Sequence, residues 1–152
     1  MSSDAPAETI VLRELRDEDL PILYEHQRDP ESVKMADFPP RDLEGFHAHW
    51  AKVRANPVNM FRTIELADGT VAGTVLSFPR DGVREVGYWI DRALWGRGIA
   101  SKALAAYLEL ERTRPLYAGL AKHNAASRRV LEKCGFRFDH ETETDLILVL
   151  DA

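Results

Sequence analysis

The chain has 152 residues, 45% of them hydrophobic, with 9 Gly and 8 Pro, which suits one domain with a sizeable core and excludes a collagen-like or wholly disordered polymer. A formal charge of −5, from 20 Lys and Arg against 25 Asp and Glu, lacks the basic footprint of a nucleic-acid binder, and no run approaches the roughly 18 apolar residues of a membrane helix. Cys134, the one cysteine, excludes an internal disulfide and a CxxC redox pair. Residues 1–8 have neither the basic nor the apolar region of a signal peptide and read as a loose tail. The expectation is a single cytoplasmic domain over residues 9–152.

Thr9 to Leu15 reads as a strand. Asp17-Glu18-Asp19 marks a helix start ahead of Leu20, Ile22, Leu23 and Tyr24. Asp29-Pro30 offers a second start, an N-cap followed by Pro at the first helical position, and Pro39-Pro40 stops it. Asp42 to Ala55 predicts a clearer helix, with Leu43, Phe46, Trp50 and Val53 spaced by three and four. The period then changes. Met60 to Leu66 and Val71 to Phe78 are strands around the turn Ala67 to Thr70, and Glu85 to Ile90 is a third beyond the turn Arg80-Asp81-Gly82. Helical spacing returns with Ile99, Ala103, Ala106, Tyr107 and Leu110 on one face. Leu116 to Leu120 is a short strand. Asn124 to Lys133 is a helix with Val130, Leu131 and Cys134 on one face and Gly135 as its left-handed cap. Phe136 to His140 and Leu146 to Leu150 close an α+β chain on a mostly antiparallel sheet.

The stretch Trp95-Gly96-Arg97-Gly98-Ile99-Ala100-Ser101 follows a strand and opens a helix. Small residues at 96, 98 and 100 let a ligand approach the backbone, and the first N–H groups of a helix have no intrahelical partner. That is an anion site, with phosphate its usual occupant. A Walker loop is excluded, because Ser101-Lys102 reverses its order. A dinucleotide fingerprint fails too: Ser101 stands at its third glycine, and Tyr117 and Ala118 lie where its acid belongs.

Glu85-Val-Gly-Tyr-Trp-Ile-Asp-Arg-Ala-Leu-Trp-Gly-Arg-Gly-Ile-Ala-Ser-Lys-Ala-Leu resembles the acetyl-coenzyme A motif of the GNAT family of N-acetyltransferases. Asn124-Ala-Ala-Ser-Arg-Arg-Val-Leu-Glu-Lys-Cys-Gly-Phe resembles a second motif of the family, while Leu12-Arg13…Asp19-Leu20 and Asp68-Gly-Thr-Val-Ala-Gly resemble its opening and central strands. The resemblance covers about residues 9 to 150 and is nearest the ribosomal-protein N-terminal acetyltransferase branch. One departure is Trp95, where the family has Gln or Arg. The resemblance implies a twisted sheet splayed at its centre, with helices on both faces and coenzyme A in the cleft. It implies that the backbone of Tyr88, Trp89 and Ile90 pairs with the pantetheine arm. It implies that Gly96, Arg97, Gly98, Ile99, Ala100 and Ser101 hold the pyrophosphate, and that Asn124 bonds the arm beyond any capping role. No metal is implied.

Among other residues, Arg128 and Arg129 either reach the 3′-phosphate or form a solvated face. Cys134 reads as a packed thiol rather than a reactive one, and His47 and His49, two apart on a helix, face different ways. The acid–base residues are less plain. A lysine-like amine at about 10.4 is roughly 4 kcal/mol from neutrality at pH 7, while an α-amino group near 7.7–8.0 needs about one unit or less. Some relatives carry a Glu five residues before the motif Asn and a Tyr seven after it; this chain has Gly119 and Leu131. Glu85 is the candidate base, set by alternation on the face of Gly87 and Trp89, where burial raises a carboxylate. Ser127, matching the motif Ser, is the candidate acid; Glu141, Glu143 and Asp145 are lesser candidates. A salt-bridged Glu85 and a capping Ser127 are the plainer alternatives. The expected activity is acetyl transfer from acetyl-CoA to a primary amine, a peptide N-terminus or a small molecule. The rival is a silent acyl-CoA-binding module. A homodimer is left open.

Overall fold

The computed structural model describes residues 9–151, so the tail expected at residues 1–8 lies outside it. Strand β1 (Ile10–Arg13) is shorter than its apolar run because the chain turns early into a 3₁₀ segment, Asp17–Asp19. The cause is Asp19. Its buried carboxylate takes both Arg13 Nη groups at 2.8 Å, the Arg16 N–H at 2.8 Å and the Thr63 hydroxyl at 2.8 Å. Burial alone would raise this carboxyl, but those donors outweigh it and hold it at about 2. The Leu12-Arg13…Asp19-Leu20 motif is thus a structural clasp.

Three helices follow: α1 (Leu20–Arg28), α2 (Pro30–Ala36) and α3 (Leu43–Ala55). Asp29 ends the first and caps the second, accepting the Ser32 N–H at 2.9 Å. Asp37, left-handed at φ 52°, ends α2 before Pro39-Pro40 is reached. Asp42 caps α3 through the Gly45 N–H at 2.7 Å.

The meander is β2 (Met60–Leu66), β3 (Val71–Arg80) and β4 (Val83–Ile90). The last two run longer than their sequence pattern, since Asp81 and Gly82 both have positive φ (50° and 83°) and make a two-residue hairpin that pairs Arg80 with Val83. Then come α4 (Ile99–Leu108), β5 (Leu116–Ala121), α5 (Ala125–Lys133), β6 (Arg137–Glu141) and β7 (Asp145–Leu150). The sheet order is β1-β2-β3-β4-β5-β7-β6, antiparallel except between β4 and β5. Those two share only the rungs Arg84↔Leu116 and Glu85↔Tyr117 and then part.

The parting point is anchored. Arg84 on β4 reaches Glu111, just ahead of β5, at 3.0 Å; Glu111 also accepts from the Ser77 hydroxyl, and the Tyr107 hydroxyl lies 2.7 Å from the same Ser77 oxygen. Against the pull of burial, hydrogen bonds from Ser77, from Thr113 and from Arg84 bring the Glu111 carboxyl down to about 2. Farther along, a Cβ at Gly73 would overlap the Trp89 carbonyl oxygen, so only glycine lets β3 approach β4 there.

One core, containing Ile64, Val75, Leu104, Tyr107, Leu131 and Leu148, packs α4 and α5 on one face of the sheet. A smaller one packs α1 and α3 on the other, through Leu23, Phe46, Trp50 and Val53. Because α4 ends at Leu108, Leu110 is 48% exposed and Leu104 takes the core place that the helical face assigned to it. Among the described residues no helix is long and apolar enough to cross a membrane.

Candidate active site

Where β4 and β5 separate, a cavity of about 390 Å³ opens on the α4–α5 side. Tyr88, Trp89 and Ile90 form one wall; Gly96, Gly98, Ile99, Ala100 and Ser101 form its end. Asn124, Ser127, Arg129 and Val130 of the α5 segment stand opposite. Gly96 and Gly98 are left-handed, at φ 82° and 76°, and a Cβ on either would meet nothing within 4 Å. The first α4 hydrogen bond runs from the Lys102 N–H to the Gly98 carbonyl at 3.2 Å. The N–H groups of Ile99, Ala100 and Ser101 therefore lie ahead of the helical ladder, at residues that line the cavity. A pyrophosphate fits that cradle. Arg97, expected with the phosphate holders, does not line the cavity: between two left-handed glycines the chain folds back and leaves it exposed.

Trp95, 42% exposed, also lines this cavity, and its indole N–H donates to the Ile90 carbonyl at 3.1 Å, tying the turn to the end of β4. Asn124 is an N-cap, accepting the Ser127 N–H at 3.1 Å. The Ser127 hydroxyl does not cap. It lies 2.7 Å from the Tyr88 hydroxyl, across the mouth of the splay, and burial pushes that phenol up to about 12. Arg129 lines the cavity, whereas Arg128 turns to Glu132 at 3.2 Å. Burial raises the Cys134 thiol, which donates to the Ser101 carbonyl at 3.7 Å.

Helix α2 roofs the cavity with Ser32, Met35 and Ala36. It is strapped on both sides: Asp29 accepts from Arg92 Nε at 2.9 Å, and the Lys34 carbonyl lies 2.9 Å from His123 Nε2. Sequence periodicity had no means of placing this roof.

A second cavity, about 410 Å³, lies on the other face of β4. Leu23 and His26 of α1, Phe46, His49 and Trp50 of α3, and Gly87 of β4 line it, and it shares Tyr88 and Trp89 with the first. The Trp89 indole N–H donates to the His26 carbonyl at 3.2 Å. Burial lowers the His26 imidazole below its ordinary value, with Asp91, 3.6 Å away, opposing. None of these α1 and α3 residues carries a motif; Phe46 and Trp50 read from sequence as core, which they also are.

Glu85 lines neither cavity. It keeps the face of Gly87 and Trp89, and its carboxylate takes Arg80 Nη1 at 3.2 Å. Burial raises its pKa above the usual carboxylate range, with Arg80 opposing. Its Oε1 stands 3.9 Å from where a Cβ at Gly119 would begin. Glu141 pairs with Lys122 at 3.0 Å on the surface, Glu143 is exposed, and Asp145 is near enough to help raise Glu85.

Among curated proteins, none matches this chain in sequence. Solved structures share its fold. An acetyltransferase from Agrobacterium tumefaciens is 22% identical with TM-score 0.80, over 94% of this chain and 91% of the other. An aminoglycoside acetyltransferase in complex with coenzyme A is 20% identical with TM-score 0.79, over 94% and 95%. Spermidine N-acetyltransferase from Vibrio cholerae, in complex with CoA and spermine, is 16% identical with TM-score 0.78, over 92% of each chain. The sequence model of the acetyltransferase (GNAT) domain matches residues 9–137, most of the length. With its splayed sheet and glycine turn accounted for, the chain belongs to the GNAT acetyltransferase family.

Proposed function

We propose that the protein is an acetyl-CoA-dependent N-acetyltransferase of the cytoplasm, one domain over residues 9–152, in which an α-amino group attacks the thioester directly. The observation that carries this is the pair of cavities meeting at Tyr88 and Trp89, on a strand whose β5 side is unpaired beyond Glu85. The coenzyme A complexes of the aminoglycoside and spermidine enzymes support assigning the first cavity to the coenzyme.

In this reading the N–H groups at Ile99 to Ser101 take the pyrophosphate and Arg129 the remaining phosphate charge. The β4 backbone at Tyr88 to Ile90 takes the pantetheine amides. Asn124, spent as a cap through Oδ1, keeps its amide N–H groups for the arm. Glu85, directly or through a water, accepts the amine proton; its raised pKa suits a base working near neutral pH. The amine nitrogen bonds to the acetyl carbon, the C–S bond breaks, and the developing oxyanion is met by backbone N–H groups of the splay. As the tetrahedral intermediate collapses the nitrogen sheds its second proton to solvent, and the thiolate takes one from the Ser127 hydroxyl, which recovers it from solvent through the Tyr88 hydroxyl 2.7 Å away.

An α-amino acceptor is favoured by proton cost, about two and a half units less than for a lysine side chain. The resemblance to the ribosomal-protein branch supports an α-amine over a lysine side chain. A silent acyl-CoA-binding module draws on Gly119 and Leu131, but Glu85 standing against the empty Gly119 position speaks for a carboxylate relocated to the neighbouring strand. The test is a Phe-Lys dipeptide offered free and N-terminally blocked, with thiol release followed and the acetyl group located by mass spectrometry. Acetylation on the α-amine of the free dipeptide alone is expected. Transfer to lysine in the blocked dipeptide overturns the α-amino assignment, and no thiol release with any amine overturns the enzyme.

A further inference from the structure

The second cavity describes its occupant chemically. Its walls are aromatic and branched, with Phe46, Trp50, Phe78 and Trp89 among them, and its charged lining residues are both arginines, Arg41 and Arg80; no carboxylate lines it. Arg80 is answered by Glu85 at 3.2 Å. Arg41 has no ion pair among the described residues and lies with its guanidinium carbon 5.2 Å from the centre of the Phe38 ring. Its backbone is fixed by Gln27, which accepts from the Arg41 N–H at 2.7 Å and donates to its carbonyl at 3.0 Å. A pinned backbone with an unanswered guanidinium is a built anion handle.

The remaining polar groups agree. His49 lines the same cavity, and burial, then Arg41 and Lys52, lower its imidazole, so it is neutral at neutral pH. His26 is likewise neutral. A polycationic amine entering here would lose hydration beside the unanswered Arg41 guanidinium, with no carboxylate among the lining residues to receive its further charges. An amine carrying a carboxylate on an apolar body meets a planar bidentate donor and an aromatic wall. The cavity, about 410 Å³, is within the ordinary range for one small ligand.

Resting on the N-acetyltransferase reading above, we propose that the acceptor is a free apolar or aromatic α-amino acid, its carboxylate held by Arg41 and its side chain by the aromatic wall. Arg41 is then the specificity residue, and a basic protein N-terminus is disfavoured.

The experiment compares phenylalanine, phenylalaninamide and spermidine by thiol release, in the wild type and in Arg41→Gln. The amide is the weaker base and is deprotonated more easily, so any preference for the acid has to come from its carboxylate. The expected result is kcat/KM for phenylalanine at least about tenfold above the amide, or about 1.4 kcal/mol. That ratio collapses towards one in Arg41→Gln, and spermidine is poorest. Faster spermidine turnover, or a ratio untouched by the substitution, overturns the assignment while leaving acetyl transfer intact. If no amine releases thiol, quenching of the wall tryptophans decides. Phenylalanine binding about tenfold tighter than the amide, lost in Arg41→Gln, supports the assignment while the transfer reading falls. Equal binding overturns it.

Discussion

The two cavities flanking β4 are built in opposite ways. The side proposed for the coenzyme is largely backbone: left-handed glycines, the first turn of α4 and the edge of β4 beyond its last rung with β5. The side proposed for the acceptor is largely side chain, carried by α1, α3, the connection between α2 and α3, and the facing strands β3 and β4. A backbone site dictates residue type at fixed spacing in one contiguous stretch, so it writes a motif. A side-chain wall accepts any aromatic group that also packs, and its members here are scattered from Leu23 to Trp89.

Glu85→Gln tests whether chemistry can be removed from this arrangement without touching either wall. It should lower kcat by at least about a hundredfold, as loss of a general base does, with acetyl-CoA affinity by calorimetry unchanged. The sign of the pH response is fixed. A carboxylate raised by burial is protonated below its raised pKa, so activity climbs as pH rises through that value, and the variant lacks this limb. Because folding raises this pKa, the stabilising state is the protonated one, present below the unfolded value and lost as pH rises through the folded one. The variant keeps its stability across that window.

Gly73→Ala strikes the strand common to both cavities. The added methyl overlaps the Trp89 carbonyl, and a shift of backbone against backbone should cost about 2 kcal/mol or more by urea denaturation. Binding on both faces should weaken together; a loss confined to one face would separate the cavities.

Gly98→Asp sharpens the contrast by charging the coenzyme side alone. Acetyl-CoA affinity should fall about tenfold or more by calorimetry, while tryptophan quenching by the acceptor is kept. Gly98→Asn, which tolerates the left-handed backbone but carries no charge, should lose less. The smallest effect is expected from Asp29→Asn, which loosens one strap of the α2 roof. The KM for acetyl-CoA should rise less than about fivefold, and the difference should shrink at high salt, because the Arg92 partner is half-exposed.

Legibility followed the same division. Asp29 and Asn124 are legible as caps because capping is local chemistry, and α3 is legible from its apolar spacing. The extra length of β3 and β4 was missed because Asp81-Gly82 reads as a generic turn until both φ angles are seen. In the site, Tyr88, Gly98, Asn124 and Ser127 stood in motifs, and they line one cavity. Sequence had no way to set Glu85 against Gly119, since that needs the β4–β5 register, nor to bring Ser32 and Met35 over a cleft formed much later in the chain. Arg41 was equally silent, being one arginine of many until its unanswered charge is placed among aromatic rings.

Among the described residues two rungs are the only strand pairing between the halves of the sheet, and the Arg84–Glu111 ion pair clamps that end. The strands thus form two leaves paired at one end over a shared core, and in the proposed reading a coenzyme in the cleft bridges them. Any ligand that binds only the folded state adds to stability by mass action, about 2.7 kcal/mol at a hundredfold excess over its dissociation constant. Adding coenzyme A is therefore expected to raise the melting temperature of the protein. The β4 and β5 edges that face each other across the splay, at Tyr88 to Ile90 and Ala118 to Ala121, are expected to gain amide protection when the coenzyme is bound. Amide exchange followed with and without coenzyme A would record that protection.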